Sequence, residues 1–447
     1  MWLLAVFVGM SVSASPAFGH DGYDDKKVTH HVGLDARGSW LVPTHQFFSG
    51  ENKLGKPLDK AISAHLQYSF SFPEASVFGQ IYPTAYQGVG VAWNTFFDPE
   101  EMGSPAAVYV FQGAQIAKIG RKVSLDYEWN FGVSAGWHPY RENLDGSGRE
   151  NVANQVVGSK VNAYINAGLM VSWRPTPALT INGGIDLSHF SNGNTVYPNG
   201  GVNLLGARIG AAYSFGAEKV REPSLDNHAL FCSNDFMTGL KNREMERSDF
   251  SKDFKHRFSV DITVFGAGRA KGIKRDNESF ICKGRFGILG VNVNPLYRVN
   301  KLLQAGFSVD VQYDESANIQ NHVAGTVATD TGYELRFYRP PLKEQLAAGL
   351  SLRAELMMPI FTVNVGIGHN VIYKGDDLAG WYQIVALKAS LTSHIFLHIG
   401  YKLNKFHDPN NLMLGVGFKF GGSRKIDLMS FGIHHSQTTN FEFAGMT

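Results

Sequence analysis

The sequence predicts an all-β protein: antiparallel transmembrane β-barrel of about sixteen strands in total, arranged as two eight-stranded barrels or as one larger barrel. Three observations carry this. Apolar residues alternate with polar ones along most of the 447-residue chain, and a period of two is the mark of strands. Many of these runs reach about ten residues, as a tilted strand needs to cross a bilayer, against about five or six in soluble sheets. Aromatic residues make up 12% of the chain and gather at the ends of the apolar faces, as in the girdles of outer-membrane barrels.

The chain begins with "MWLLAVFVGMSVSASPAFGH". An apolar core, Trp2–Met10, precedes small residues, and Ala17-Phe18-Gly19 fits a cleavage site. Residues 1–19 therefore read as a secretory signal peptide, although a basic leader segment is missing. The mature chain then starts near His20, beyond the inner membrane. Past this segment no run of about 18 apolar residues occurs, which excludes a helical membrane protein. Net charge is +2, so no field favours nucleic acid. The 49 glycines suit tight turns between many strands.

Eight strands are expected in residues 28–215: roughly 28–42, 63–73, 85–97, 105–118, 122–137, 161–174, 178–190 and 203–215. In "KVSLDYEWNFGVSAGW" one face carries Val123, Leu125, Tyr127, Trp129, Phe131 and Val133. The other carries Ser124, Asp126, Glu128 and Asn130. A soluble sandwich would turn the apolar face inward; a membrane barrel turns it to lipid, and the strand lengths favour the barrel. Tight connections, "KIGRK" and "RPTPA", alternate with long ones at 138–160 and 191–202. Short turns lie on the periplasmic side of such barrels, so the seventh strand runs outward and His189 stands at its outer end.

Residues 256–420 hold a second set of about eight strands, with "NPLYRVNK", "MMP" and "LTSH" as the short turns. Each set closes on a strand ending in Phe, at Phe215 and Phe420. Between them lies a charge-rich stretch, residues 216–255, longer than a periplasmic turn needs and expected to be a periplasmic linker. "DLSHFSN…YPN…LLGARIGAAYSF" can be laid over "KLNKFHD…PN…LMLGVGFKF" as a weak internal repeat. There His189 faces Lys405 and Ser191 faces His407, so the second copy lacks the His/Ser pair. The tail, 421–447, carries no readable chemistry.

The stretch "DLSHFSNGNTVYPNGGVN" carries the chemistry. Leu187, His189 and Ser191 share the lipid-facing parity of the seventh strand, and Asn203 has the same parity on the eighth. An antiparallel hairpin brings Asn203 near His189 at the outer rim. A serine hydroxyl is a poor nucleophile until a base takes its proton. His189 can be that base, with Asn203 fixing its tautomer and orientation. Asn192 and Gly193, directly after Ser191, are candidate oxyanion donors. An Asn/Gly turn without catalytic role is the plainer account of residues 191–194.

On these residues the sequence resembles the lipid A 3-O-deacylase family (PagL), eight-stranded outer-membrane barrels that remove an ester-linked acyl chain from lipid A. The resemblance covers residues 28–215 best and implies His189 as base and Ser191 as nucleophile. The family's acidic third residue falls at Asn203 here, a departure at the orienting position. The His/Ser/Asn set is also similar to outer-membrane phospholipase A, a larger barrel that needs calcium. The chain is similar, too, to acyloxyacyl hydrolase-like proteins of Bacteroidetes, in which "HFSNGNT…PN" and a second half recur.

The resulting expectation is an outer-membrane serine esterase of a Gram-negative bacterium, a hydrolase acting on lipid A (lipopolysaccharide) in the outer leaflet. A phospholipase acting on phospholipid, with calcium, and a non-catalytic structural or porin-type barrel are the alternatives. No cofactor and no metal site are otherwise expected, since the adjacent pairs His30-His31 and His434-His435 point to opposite faces of a strand. Asp35, Arg37, Asp126, Glu128, Asp186 and Arg208 fall on lumenal faces and read as ion pairs filling a narrow barrel. Cys232 in the linker and Cys282 at the outer rim should be too far apart for a disulfide.

Overall fold

The computed structural model describes residues 28–422 apart from 74–75, 142–149, 217–256, 276–277, 283, 301, 330–331 and 406–407. The leader, nearly all of the linker with Cys232, and the tail beyond Gly422 lie outside the described residues, as do His407 and the His434-His435 pair.

Eight strands build the first half: β1 (Thr29–Val42), β2 (Lys60–Ser71), β3 (Tyr86–Thr95), β4 (Gly103–Lys118), β5 (Val123–Trp137), β6 (Val161–Trp173), β7 (Leu179–Ser191) and β8 (Val202–Phe215). Each pairs antiparallel with its sequence neighbour, and β8 returns to β1 in a register running from His30↔Phe215 to Val42↔Asn203. The second half contains β9 (Phe258–Arg269), β10 (Gly272–Arg275), β11 (Glu278–Ile281), β12 (Phe286–Arg298), β13 (Leu303–Asp314), β14 (Val323–Thr329) and β15 (Gly332–Phe337). It continues with β16 (Leu346–Met357), β17 (Phe361–Ile372), β18 (Trp381–Ser390), β19 (Ile395–Asn404) and β20 (Asp408–Gly421). Eight of these close a second barrel in which β20 pairs with β9. The fold is thus two closed eight-stranded barrels, not one of sixteen strands.

Two details of the second half depart from expectation. Its described residues form twelve strands rather than eight, because β10–β11 and β14–β15 are hairpins set into its loops. "NPLYR" is strand, and the chain turns after it, where the Val299 and Asn300 N–H groups donate to the Leu303 carbonyl. Pro295 still aligns with Val260 on β9, but the register with β13 skips from Val293↔Val309 to Leu296↔Gly306. Lacking an N–H, proline interrupts one ladder and leaves the strand standing.

Outward faces are predominantly apolar. On β6, Val161, Ile165, Leu169, Val171 and Trp173 are exposed, while Asn162, Tyr164, Asn166 and Ser172 are buried inside. No described helix is long and apolar enough to cross a membrane; strands do the crossing. Across the bore of the first barrel Arg37 pairs with Asp35 at 2.7 Å and with Asp186 at 3.3 Å. Arg208 pairs with Glu128 at 2.9 Å and Asp35 at 3.2 Å. Asp126 stands apart from this set, held by Arg174 at 3.1 Å and by Ser124. Buried charges persist only when paired in this way.

At the end with the long loops, an apolar cluster of Phe47, Phe48, Phe96, Met102, Trp137 and Phe190 caps the first bore. The two barrels also touch. Near the tight-turn end Trp129 Nε1 lies 3.4 Å from Met358 Sδ, and its ring meets Phe361 edge-on at 5.1 Å. At the long-loop end Ala270 N–H donates to the Asn194 carbonyl at 3.1 Å.

Candidate active site

The site is positioned by Phe190. Its ring turns inward, stacked on Tyr164 at 5.0 Å and against Trp137 at 5.2 Å. Strand alternation then sends His189 and Ser191 to the outer face, in line with the exposed Ile185 and Leu187. Across the hairpin His189 is registered directly with Asn203.

His189 Nδ1 stands 2.6 Å from Asn203 Oδ1, and His189 Nε2 2.9 Å from Ser191 Oγ. An amide oxygen only accepts, so the ring proton sits on Nδ1. Nε2 is then left with its lone pair toward the Ser191 hydroxyl, which donates. The three groups form one hydrogen-bonded line, half-buried at the long-loop rim.

The loop after Ser191 is tied to itself. Asn192 N–H donates to Asn199 Oδ1 at 3.1 Å, and Asn192 Nδ2 donates to the Val196 carbonyl at 2.9 Å. Asn192 is therefore a brace, with both kinds of donor engaged. Gly193 has φ +65°, a left-handed conformation natural to glycine, and its N–H meets no acceptor among the described residues.

Sequence reasoning missed Asn199 and Gly201. Gly201 (φ +73°) lies beside the imidazole, and a Cβ built there would stand 3.2 Å from His189 Cε1. Its carbonyl accepts from Thr44 Oγ1 at 2.9 Å and its N–H donates to Val156 O at 3.1 Å. The Gly200-Gly201 pair just before Asn203 was the available signal of a close approach. His30 and His31 point to opposite faces, toward Tyr68 and Ser214. Among the described residues no group of three or more His, Cys, Asp or Glu is arranged to hold a metal.

The sequence model of lipid A 3-O-deacylase (PagL) matches residues 121–212, which contain the whole line. That of the acyloxyacyl hydrolase C-terminal domain matches residues 258–422, the second barrel. The chain belongs to the lipid A 3-O-deacylase and acyloxyacyl hydrolase family. As a member of that family it is a hydrolase of the Gram-negative outer membrane. No curated protein matches it in sequence. Among solved structures it is similar to Neisserial surface protein A, with 11% identity over 44% of this chain and 100% of that one, TM-score 0.27. It is similar to the outer membrane enzyme PagL, with 15% identity over 40% of this chain and 97% of that one, TM-score 0.26. The N-terminal β-barrel domain of Pseudomonas aeruginosa OprF follows, with 10% identity, 41% and 97% coverage and TM-score 0.23.

Proposed function

We propose that this deacylase-family chain hydrolyses an ester-linked acyl chain of lipid A in the outer leaflet. Ser191 is the nucleophile, His189 the general base and Asn203 the orienter. The observation that carries this reading is the Ser191–His189–Asn203 hydrogen-bonded line on the lipid-facing side of a barrel rim. The long-loop end faces outward, and substrate reaches the site along the membrane.

In the first half-reaction the Ser191 proton passes to His189 Nε2 as Oγ attacks the acyl carbonyl. Asn203 accepts from Nδ1–H throughout, and that bond strengthens as the ring becomes cationic. The Gly193 N–H is the donor for the oxyanion. His189 then protonates the departing sugar oxygen, leaving an acyl-Ser191 ester. Water, deprotonated by His189, cleaves that ester and releases a fatty acid.

Purified full-length wild type should remove one acyl mass from lipid A by mass spectrometry. Ser191→Ala and His189→Ala should assemble and release none. Full deacylation by Ser191→Ala sinks the serine mechanism. Phosphatidylethanolamine vesicles run in parallel separate the phospholipase alternative: phospholipid cleavage without lipid A cleavage, lost with chelator and restored by calcium, would replace this reading.

A further inference from the structure

The loop that follows Ser191 rests on the second barrel. Asn194 accepts from Ala270 N–H just beyond β9. A Cβ placed on Gly193 would lie 3.4 Å from Leu412 Cβ and 3.5 Å from Tyr401 Cε2. Tyr401 lies on the outward face of β19, and Leu412 on that of β20, each alternating with buried Lys402 or Met413. Further along β20, Leu414 and Val416 are 42% and 40% exposed, whereas Tyr401 and Leu412 are partly buried. What covers them includes the Gly193 loop. Gly193 and Asn194 both hold left-handed backbone, φ +65° and +64°, which these two residue types adopt readily, so what flanks the loop decides where it sits. One support is polar and internal, the Asn192–Asn199 and Asn192–Val196 hydrogen bonds. The other is the apolar wall of the neighbouring barrel.

We propose that the rim of the second barrel, through Tyr401, Leu412 and Ala270, is a positioning element for the reaction at Ser191: it holds the 192–194 loop so that Gly193 N–H meets the developing oxyanion. Tyr401 and Leu412 act through Gly193 and are positioning residues, touching no reacting atom. The inference rests on the reading of Ser191 as nucleophile. It also gives the second barrel a task. β19 and β20 are the seventh and eighth strands of their barrel, the counterparts of β7 and β8. The half without a His/Ser pair turns that same strand end toward the half that has one.

The test is a Tyr401→Ala/Leu412→Ala double variant of the full chain in detergent micelles, assayed on a p-nitrophenyl acyl ester and on lipid A. Displacing a transition-state contact by about 1 Å costs on the order of 10²-fold, so kcat should fall by that order. KM should stay within about twofold, because only the transition state loses an interaction. Covalent labelling of Ser191 by a fluorophosphonate should slow by the same factor. Tyr401→Phe and Leu412→Met should keep wild-type kcat, since the neighbouring atoms are the Tyr401 ring edge and the Leu412 Cβ and Cδ1. Wild-type kcat in the double variant, or a change in KM alone, overturns the proposal. If the double variant does not assemble, Leu412→Val and Leu412→Ala must lower kcat in that order, and equal activity across the series overturns it. A fully active Ser191→Ala control overturns the reading of the site instead.

Discussion

Asn203→Leu removes the acceptor that lies 2.6 Å from His189 Nδ1 and keeps the side-chain volume. In the resting site this is a bond between neutral groups, with a net worth of about 1 kcal/mol; to an imidazolium such a bond is worth about 1.5–3 kcal/mol. The part gained only on reaching the transition state is therefore about 0.5–2 kcal/mol, which converts to roughly 2- to 30-fold in kcat. The imidazole also loses the partner that fixes its tautomer and tilt, so the expected fall reaches toward about a hundredfold. Asn203 faces outward on β8, and barrel assembly should not suffer. The assay is fatty acid release from micellar lipid A, with heat-modifiable electrophoretic mobility as the folding control. Asn203→Asp works in the opposite sense: a carboxylate stabilises the imidazolium formed in the transition state more than a neutral amide does, so kcat should equal or exceed wild type. Unchanged kcat at every pH for Asn203→Leu refutes the orienting role.

Three further outcomes are expected. Arg37→Met leaves Asp186 without its ion-pair partner in a fully buried layer and should cost about 3–5 kcal/mol in urea unfolding. Gly201→Ala puts a Cβ 3.2 Å from His189 Cε1 at φ +73°; backbone strain of about 1–2 kcal/mol and a displaced ring should lower kcat several-fold at unchanged KM. In a Cys232→Ser background, burial pushes the Cys282 thiol up to about 11, so at pH 8 it stays protonated. Maleimide should label it slowly in the native protein and readily in urea, since the thiolate is the nucleophile.

The first barrel was legible strand by strand because its signal is local. Parity along "LTINGGIDLSHFS" is enough to put Leu187, His189 and Ser191 on one face, and the structure has them there. The closure of β8 on β1 rather than β9 was left open, since any Phe-ended strand offers the same edge groups to either partner. The β10–β11 and β14–β15 hairpins were missed because four to seven residues carry too little alternation to separate from loop. Pro295 misled in the other direction, as a turn signal lodged within a strand. In the site, the Ser–His–Asn line follows from spacing, whereas Asn199 on Asn192, Gly201 on His189 and Tyr401 beside Gly193 depend on loop paths and on a second barrel far along the chain. No pattern around Tyr401 distinguishes a lipid-facing tyrosine from one that abuts a neighbouring loop.

The layer of Arg37, Asp35, Asp186, Glu128 and Arg208 has a physiological corollary. Its side chains are each at most 3% exposed, and the aromatic lid of Phe96, Trp137 and Phe190 lies above it. A solute entering this bore would have to break several guanidinium–carboxylate pairs in succession with little water to replace them. The envelope can therefore carry many copies of this domain without becoming leaky to nutrients, toxins or protons, and single-channel recordings of it should stay at baseline.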